Sequence, residues 1–169
     1  MTPPILHKLV DLPAARADVW RILTDPNEAA TGLCAKARID LKMLGRYELL
    51  FDLDQPPGRQ GSEGMRVLSY VPEAMLSFEW NAPPSFADER SAPAQTFVVM
   101  HLRDLPESGT RLEIQHLGWP QGGAWPQVYA YFDRAWDAVC TWLLHRFEVG
   151  AVDWSAPPRP SRSFAAAPG

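Results

Sequence analysis

From Gly118 to Glu148 the chain reads GWPQGGAWPQVYAYFDRAWDAVCTWLLHRFE. Trp125, Tyr129, Phe132, Trp136, Val139, Leu143 and Phe147 recur at steps of three and four, the spacing of one face of a long helix. The Trp-Pro and Gly-Gly pairs ahead of it mark a turn into that helix. An ordinary core seam is aliphatic. Here most of the face is aromatic, and large flat rings bury much area while leaving irregular gaps. A chain with such a helix must supply a broad apolar surface to receive it. The helix then either closes a core or roofs a cavity.

The residues before it supply that surface. Ile5 to Leu12 reads as a first strand, ended by Pro13. The period then changes: Val19, Trp20, Ile22 and Leu23 mark a short helix that Asp25-Pro26 stops, and a weak second helix is expected over Asn27 to Leu33. From Ala35 apolar and polar residues alternate, which is the strand signal. Strands are expected around Ile39 and Leu41, over Tyr47 to Leu53, Met65 to Val71, Leu76 to Trp80, Thr96 to Leu105 and Thr110 to Leu117. The last two form a hairpin across Pro106-Glu107-Ser108-Gly109, and Ala82 to Ala94 reads as a polar loop. Short connections imply antiparallel pairing. The class is α+β: a curved antiparallel sheet gripping the C-terminal helix, with two short helices after the first strand. One domain is expected over residues 1–150. Residues 151–169, rich in Pro, Ala and Ser with almost no apolar periodicity, are expected to be a disordered tail.

Several function classes are excluded or disfavoured. A net charge of -4 lacks the basic stripe that a nucleic-acid partner calls for. No apolar run approaches the roughly 20 residues of a membrane span, and no basic, then apolar leader opens the chain, so the expected compartment is the cytoplasm. Cys34 and Cys140 are far apart without a metal spacing and read as buried reduced thiols. No glycine-rich nucleotide motif or GxSxG element occurs, and no cofactor is expected.

VWRILTDP at Val19–Pro26, GRYEL at Gly45–Leu49 and GMRVLSYVPEAMLSFEW at Gly64–Trp80 form a family pattern with GTRLEIQHLGWP at Gly109–Pro120 and AYFDRAWDAVCTWL at Ala130–Leu143. Together, over roughly Ile5 to Phe147, they resemble the SRPBCC or START-like superfamily. The branch they resemble is named after the C-terminal domain of the heat-shock protein 90 ATPase activator. The resemblance implies a helix-grip fold, a seven-stranded antiparallel sheet around the C-terminal helix, often with a hydrophobic cavity between them. The superfamily holds lipid carriers, hormone receptors, polyketide cyclases and partner-binding domains, so fold alone does not settle function. The chain departs from the branch where a Trp-Phe pair usually ends the second short helix; it has Ala30-Thr31-Gly32-Leu33-Cys34 there. It also has Leu44-Gly45 in place of Gly-Gly before the RYEL strand.

The expected ligand contacts are the inward sheet residues Tyr47, Leu49, Phe51, Val67, Phe78, Trp80, Met100, Ile114 and His116, with Leu33 and the helix-entry residues Trp119, Trp125, Tyr129 and Phe132. Any opening is placed at the first half of the helix, with Val139, Leu143 and Phe147 as ordinary core. His116 points inward and His101 outward, more than roughly 10 Å apart at about 3.4 Å per residue, so no metal site is expected. No carboxylate pair interrupts an apolar face, and no catalytic residue is assigned. Asp133, Arg134 and Asp137 read as the helix's solvated side. The reading is non-catalytic binding of a small hydrophobic, aromatic or lipid-like molecule. The alternatives are a cyclase or isomerase using a pocket His or Tyr, and an interaction module like the chaperone activator. Outward apolar residues Leu50, Phe97 and Val99 are consistent with a homodimer contact.

Overall fold

In the computed structural model, which describes residues 3–167, β1 (Leu6–Leu12) leads into α1 (Arg16–Thr24) and α2 (Pro26–Ala29). Then come β2 (Lys36–Ile39), β3 (Tyr47–Leu50), β4 (Val67–Val71), β5 (Met75–Trp80), α3 (Ala87–Ser91), β6 (Thr96–Asp104), β7 (Thr110–Leu117) and α4 (Trp125–Glu148). Asp25 separates the first two helices and starts the second. Its carboxylate accepts the Asn27 and Glu28 amides at 2.8 and 3.1 Å, and Pro26 follows at the first helical position. The second helix is shorter than its sequence pattern suggests because Ala30 to Leu33 continue as turns.

All seven strands are antiparallel. Five form a sheet in the order β1-β7-β6-β5-β4, and β2 pairs with β3. The two parts are stitched where Tyr47 N–H donates to the Met65 carbonyl and Val67 N–H to the Gly45 carbonyl, both 2.8 Å. This is the helix-grip arrangement expected from the alternation. At about 1.5 Å per residue the 24-residue α4 runs roughly 36 Å across the sheet. Its Val128, Phe132, Trp136, Val139 and Leu143 meet the inward residues of β4 to β7 in one continuous core.

Three expectations need revision. Leu50 is buried, not outward: it pairs with Gly61 across an isolated bridge, while Phe51 N–H bonds the Gln60 carbonyl at 2.8 Å. The backbones approach so closely there that a Cβ on Gly61 would lie 2.0 Å from the Leu49 carbonyl oxygen. The loop at 82–94 contains α3, too short to leave a readable period. Asp133 and Asp137 are not simply a solvated face. They hold the Lys8 ammonium of β1 at 2.8 and 2.9 Å, and Lys8 is only 1 % exposed. Burial pushes its pKa down, but hydrogen bonds and attraction from the two carboxylates outweigh that and raise it.

The segment expected to be a disordered tail makes specific contacts instead. Val152 N–H donates to the Thr31 carbonyl (2.8 Å), and the Trp154 indole to the Ala30 carbonyl (2.7 Å). Trp142 donates to the Pro158 carbonyl (3.1 Å). Phe164 is buried, its N–H meets Asp137 at 2.9 Å, and its carbonyl takes the Leu9 N–H of β1 at 2.9 Å. With Ala166 N–H on the His7 carbonyl at 3.0 Å, the segment covers the free edge of β1. Two separated aromatics and backbone pairing hold it, which composition and periodicity do not register. The last two residues of the expected tail lie outside the described residues.

Candidate ligand cleft

The α4 face nearest the sheet is filled by large side chains, but the flanking stripe is different. Tyr131, Ala135, Ala138 and Trp142 follow one another at helical steps, and the two alanines leave room between two bulky neighbours. Beside that stripe lies a cleft of about 670 Å³. Its other walls are Phe51 to Gly61 after β3 and Trp80 to Ser85 after β5. Prolines 83 and 84 stiffen the second wall. The volume lies within the roughly 300–1,000 Å³ of small-molecule sites.

The inner wall is a run of rings. Trp80 and Trp136 lie 5.8 Å apart between centroids, tilted by 34°. Phe51 bridges Trp80 at 6.3 Å and Trp142 at 6.2 Å. Behind them Phe78 meets Trp80 at 5.4 Å and stacks on Tyr47 at 4.3 Å. Helix α3 sets the loops. Its Arg90 donates to the carbonyls of Ala82 (2.7 Å), Gly58 and Gly61 (both 2.8 Å), and meets Glu63 at 3.2 Å. Its buried Glu89 accepts the Ala124 amide at 2.6 Å, placing a carboxylate at the N-terminus of α4. One short helix thus ties both loop walls to the roof.

Of the residues expected to contact a ligand, Phe51, Trp80 and Phe132 line this cleft. Leu33, Tyr47, Leu49, Val67, Phe78, Met100 and Ile114 are sealed in the core. Trp119, Trp125 and Tyr129 belong to packed structure at the start of α4, not to the cleft wall. Trp119 folds back, its indole on the His116 carbonyl at 3.0 Å, with Tyr129 edge-on at 5.0 Å. The cleft therefore lies beside the middle of α4, and Val139, read as core, is one of its walls. Sequence reasoning missed Trp142, Arg59 and Arg134 as walls, and it placed Trp136 on the inward helix face without counting it among the ligand contacts. The alanine pair in an otherwise aromatic helix was the signal.

His116 is fully buried and outside the cleft. An indole nitrogen can only donate, so the 3.1 Å bond from Trp136 Nε1 makes His116 Nδ1 an acceptor. Nε2 then carries the proton and donates to Thr96 Oγ1 at 2.6 Å, which passes its own hydrogen to the Trp80 carbonyl at 2.8 Å. Burial pushes the imidazole pKa down to about 3. Tyr47 is similarly engaged: its hydroxyl donates to the Leu23 carbonyl at 2.8 Å, and burial raises its pKa. Burial pushes both thiols, Cys34 and Cys140, up to about 12. None of these groups lines the cleft. Among the described residues no group of three or more His, Cys, Asp or Glu side chains could hold a metal ion.

A second depression, about 740 Å³, lies over β2 and β3 and is walled by Arg38, Lys42, Arg46 and Arg66. These cations are engaged: Arg38 and Arg46 reach Glu48 at 3.6 Å, Lys42 meets Asp40 at 3.0 Å, and Arg66 grips Glu79 at 2.7 Å. Among the described residues no helix is long and apolar enough to cross a membrane.

A family model described as Activator of Hsp90 ATPase homolog 1-like protein matches residues 13–145. Protein MLL2253 from Mesorhizobium loti superposes with a TM-score of 0.64 at 18% identity, over 86% of this chain and 96% of that one. The Aha1 dimer from Colwellia psychrerythraea gives 0.61 at 14% identity, over 87% and 98%. PFC0360w, an HSP90 activator from Plasmodium falciparum, gives 0.62 at 15% identity, over 86% and 94%. At these identities the superpositions establish the shared fold. A comparison with curated proteins finds no match.

Proposed function

The chain belongs to the Activator of Hsp90 ATPase homolog 1-like protein family, and from that premise we propose that it binds a small hydrophobic or aromatic molecule in the cleft beside α4, without catalysing a reaction. One observation carries the reading: a cleft of about 670 Å³ walled by Phe51, Trp80, Phe132, Trp136 and Trp142, beside a helix-to-sheet core packed with large side chains. His116 and Tyr47 are sealed away from it, and Tyr131 on its wall is a phenol whose pKa burial raises, which supports binding over the cyclase or isomerase alternative.

Titration calorimetry with 1-naphthalenemethanol tests the reading. Saturable binding is expected, and Ala138→Trp, which fills the gap between Tyr131 and Trp142, should abolish it while leaving the circular dichroism unchanged. No binding to the parent protein, or equal binding by the variant, refutes it.

A second reading, a protein-interaction module acting on a chaperone, is supported by the family match and by the Plasmodium falciparum neighbour. Capture of a purified chaperone ATPase, unaffected by Ala138→Trp, would favour it. A homodimer through the outer face of β6 is supported by Phe97, 36% exposed, and by the dimeric Colwellia psychrerythraea neighbour. Sedimentation of Phe97→Asp against the parent chain tests it. The two unbridged, buried thiols support a reducing compartment such as the cytoplasm.

A further inference from the structure

Four charged side chains border the cleft: Asp52, Arg59, Arg90 and Arg134. Arg90 is engaged by three carbonyls and by Glu63. Asp52 accepts from the Asp54 amide at 3.1 Å and the Gln55 side chain at 3.3 Å. Arg59 donates one 3.4 Å bond, to the Pro84 carbonyl. Neither Arg59 nor Arg134 has a carboxylate in ion-pair range among the described residues. For Arg134 the reason is on its own helix: Asp133 and Asp137, its nearest acids in sequence, are turned to Lys8. Two uncommitted arginines against one aspartate leave an excess positive charge at the mouth, on a chain of net charge -4.

The inner wall carries a matching signal. Trp136 and Trp142 donate their indole N–H groups to His116 and to the Pro158 carbonyl. Trp80 lines the cleft and its indole N–H bonds no acceptor among the described residues, yet that nitrogen is not one of the sealed unpartnered atoms, so it is open to water or to a bound molecule. A donor that reaches the cleft costs little by itself, and an acceptor on a bound molecule can take it. Guanidinium groups in turn suit a carboxylate, whose two oxygens match their fork.

We infer that the cleft selects aromatic carboxylates, a flat ring system against Trp80 and Trp136 with its anionic end met by Arg59 and Arg134. This rests on the cleft-binding reading above and adds to it the chemical class of the ligand.

Calorimetry with 2-naphthoate and its neutral near-isostere 2-naphthamide separates the two ideas. The parent protein should bind the carboxylate on the order of tenfold tighter at low salt. That preference should fall at least about threefold in ~0.5 M sodium chloride, as expected for a solvent-accessible pair. Arg134→Gln and Arg59→Gln should each lower the carboxylate-to-amide affinity ratio, and the double variant should bring it near one. Arg103→Gln, exposed on β6 away from the cleft, should keep the parent ratio. If both probes bind with equal affinity, or the ratio survives the double variant, the carboxylate assignment is overturned while cleft binding stands. If neither probe binds, both fall.

Discussion

Acid should unfold this protein through His116. In the unfolded chain its pKa returns to about 6.5, whereas burial holds it at about 3 in the fold. The unfolded state therefore binds the extra proton, and stability falls as pH drops below about 6.5, levelling only near pH 3. Two structural facts oppose protonation. No charged side chain is among the imidazole's partners, which are Thr96, Trp119, Phe132 and Trp136. The nitrogen left to accept a proton, Nδ1, already receives the Trp136 N–H. At roughly 1.4 kcal/mol per pH unit, His116 alone removes about 3 kcal/mol between about pH 7 and pH 4. That is a large share of the ~5–15 kcal/mol that holds a typical domain. Carboxylates also titrate over this range, so the measurement is a comparison. Urea unfolding of the parent and of His116→Gln should be followed by circular dichroism across that interval. The glutamine never charges and can still accept from one neighbour and donate to the other. Its stability curve should be flatter than the parent's by about 3 kcal/mol over the range. Parallel curves, within about 1 kcal/mol, would refute a buried, neutral histidine.

Three further outcomes are expected. Asp137→Ala deprives Lys8 of one of its two carboxylates and Phe164 of its amide partner, and should cost about 2–4 kcal/mol in urea unfolding. It should also speed tryptic cleavage after Arg162, read on a gel. Gly61→Ala forces a Cβ onto the Leu49 carbonyl and should destabilise by at least about 2 kcal/mol, with weaker probe binding because Gly61 borders the cleft. Cys34 and Cys140, both buried with raised pKa, should resist Ellman's reagent in the native protein and react only after unfolding.

Most of the fold was legible because both periodicities were strong. Strict alternation in Thr96–Asp104 and Thr110–Leu117 became β6 and β7, in continuous register from Phe97 opposite Leu117 to Asp104 opposite Thr110. Helical spacing likewise marked α1 and α4. What escaped was held by single contacts. Leu50 obeys the alternation of β3 yet is buried, because the chain returns through Gly61 against it. Lys8 shares the buried parity of Leu6, Val10 and Leu12 in β1, and only the packing of α4 brings Asp133 and Asp137 to it. The C-terminal segment shows no period, since its anchors are Trp154, Phe164 and main-chain bonds to β1.

The candidate site divides along the same line, and the division explains where a ligand can go. The stripe Phe132, Trp136, Val139, Leu143 names the helix face that meets the sheet, and an aromatic face suggested gaps within it. The structure closes those gaps with specific bonds. Trp136 is locked by His116, His116 by Thr96, and Trp119 covers the helix entrance by bonding the His116 carbonyl. Each ring that finds a polar partner becomes a fixed wall, not an adjustable filler. Space survives one step round the helix, where Ala135 and Ala138 separate Tyr131 from Trp142. There the rim carries two arginines, Arg59 and Arg134, with no carboxylate in ion-pair range among the described residues. The packed face of α4 meets its polar needs internally, whereas the side beside the cleft keeps open space next to Arg59 and Arg134, and that is the arrangement the proposed ligand would use.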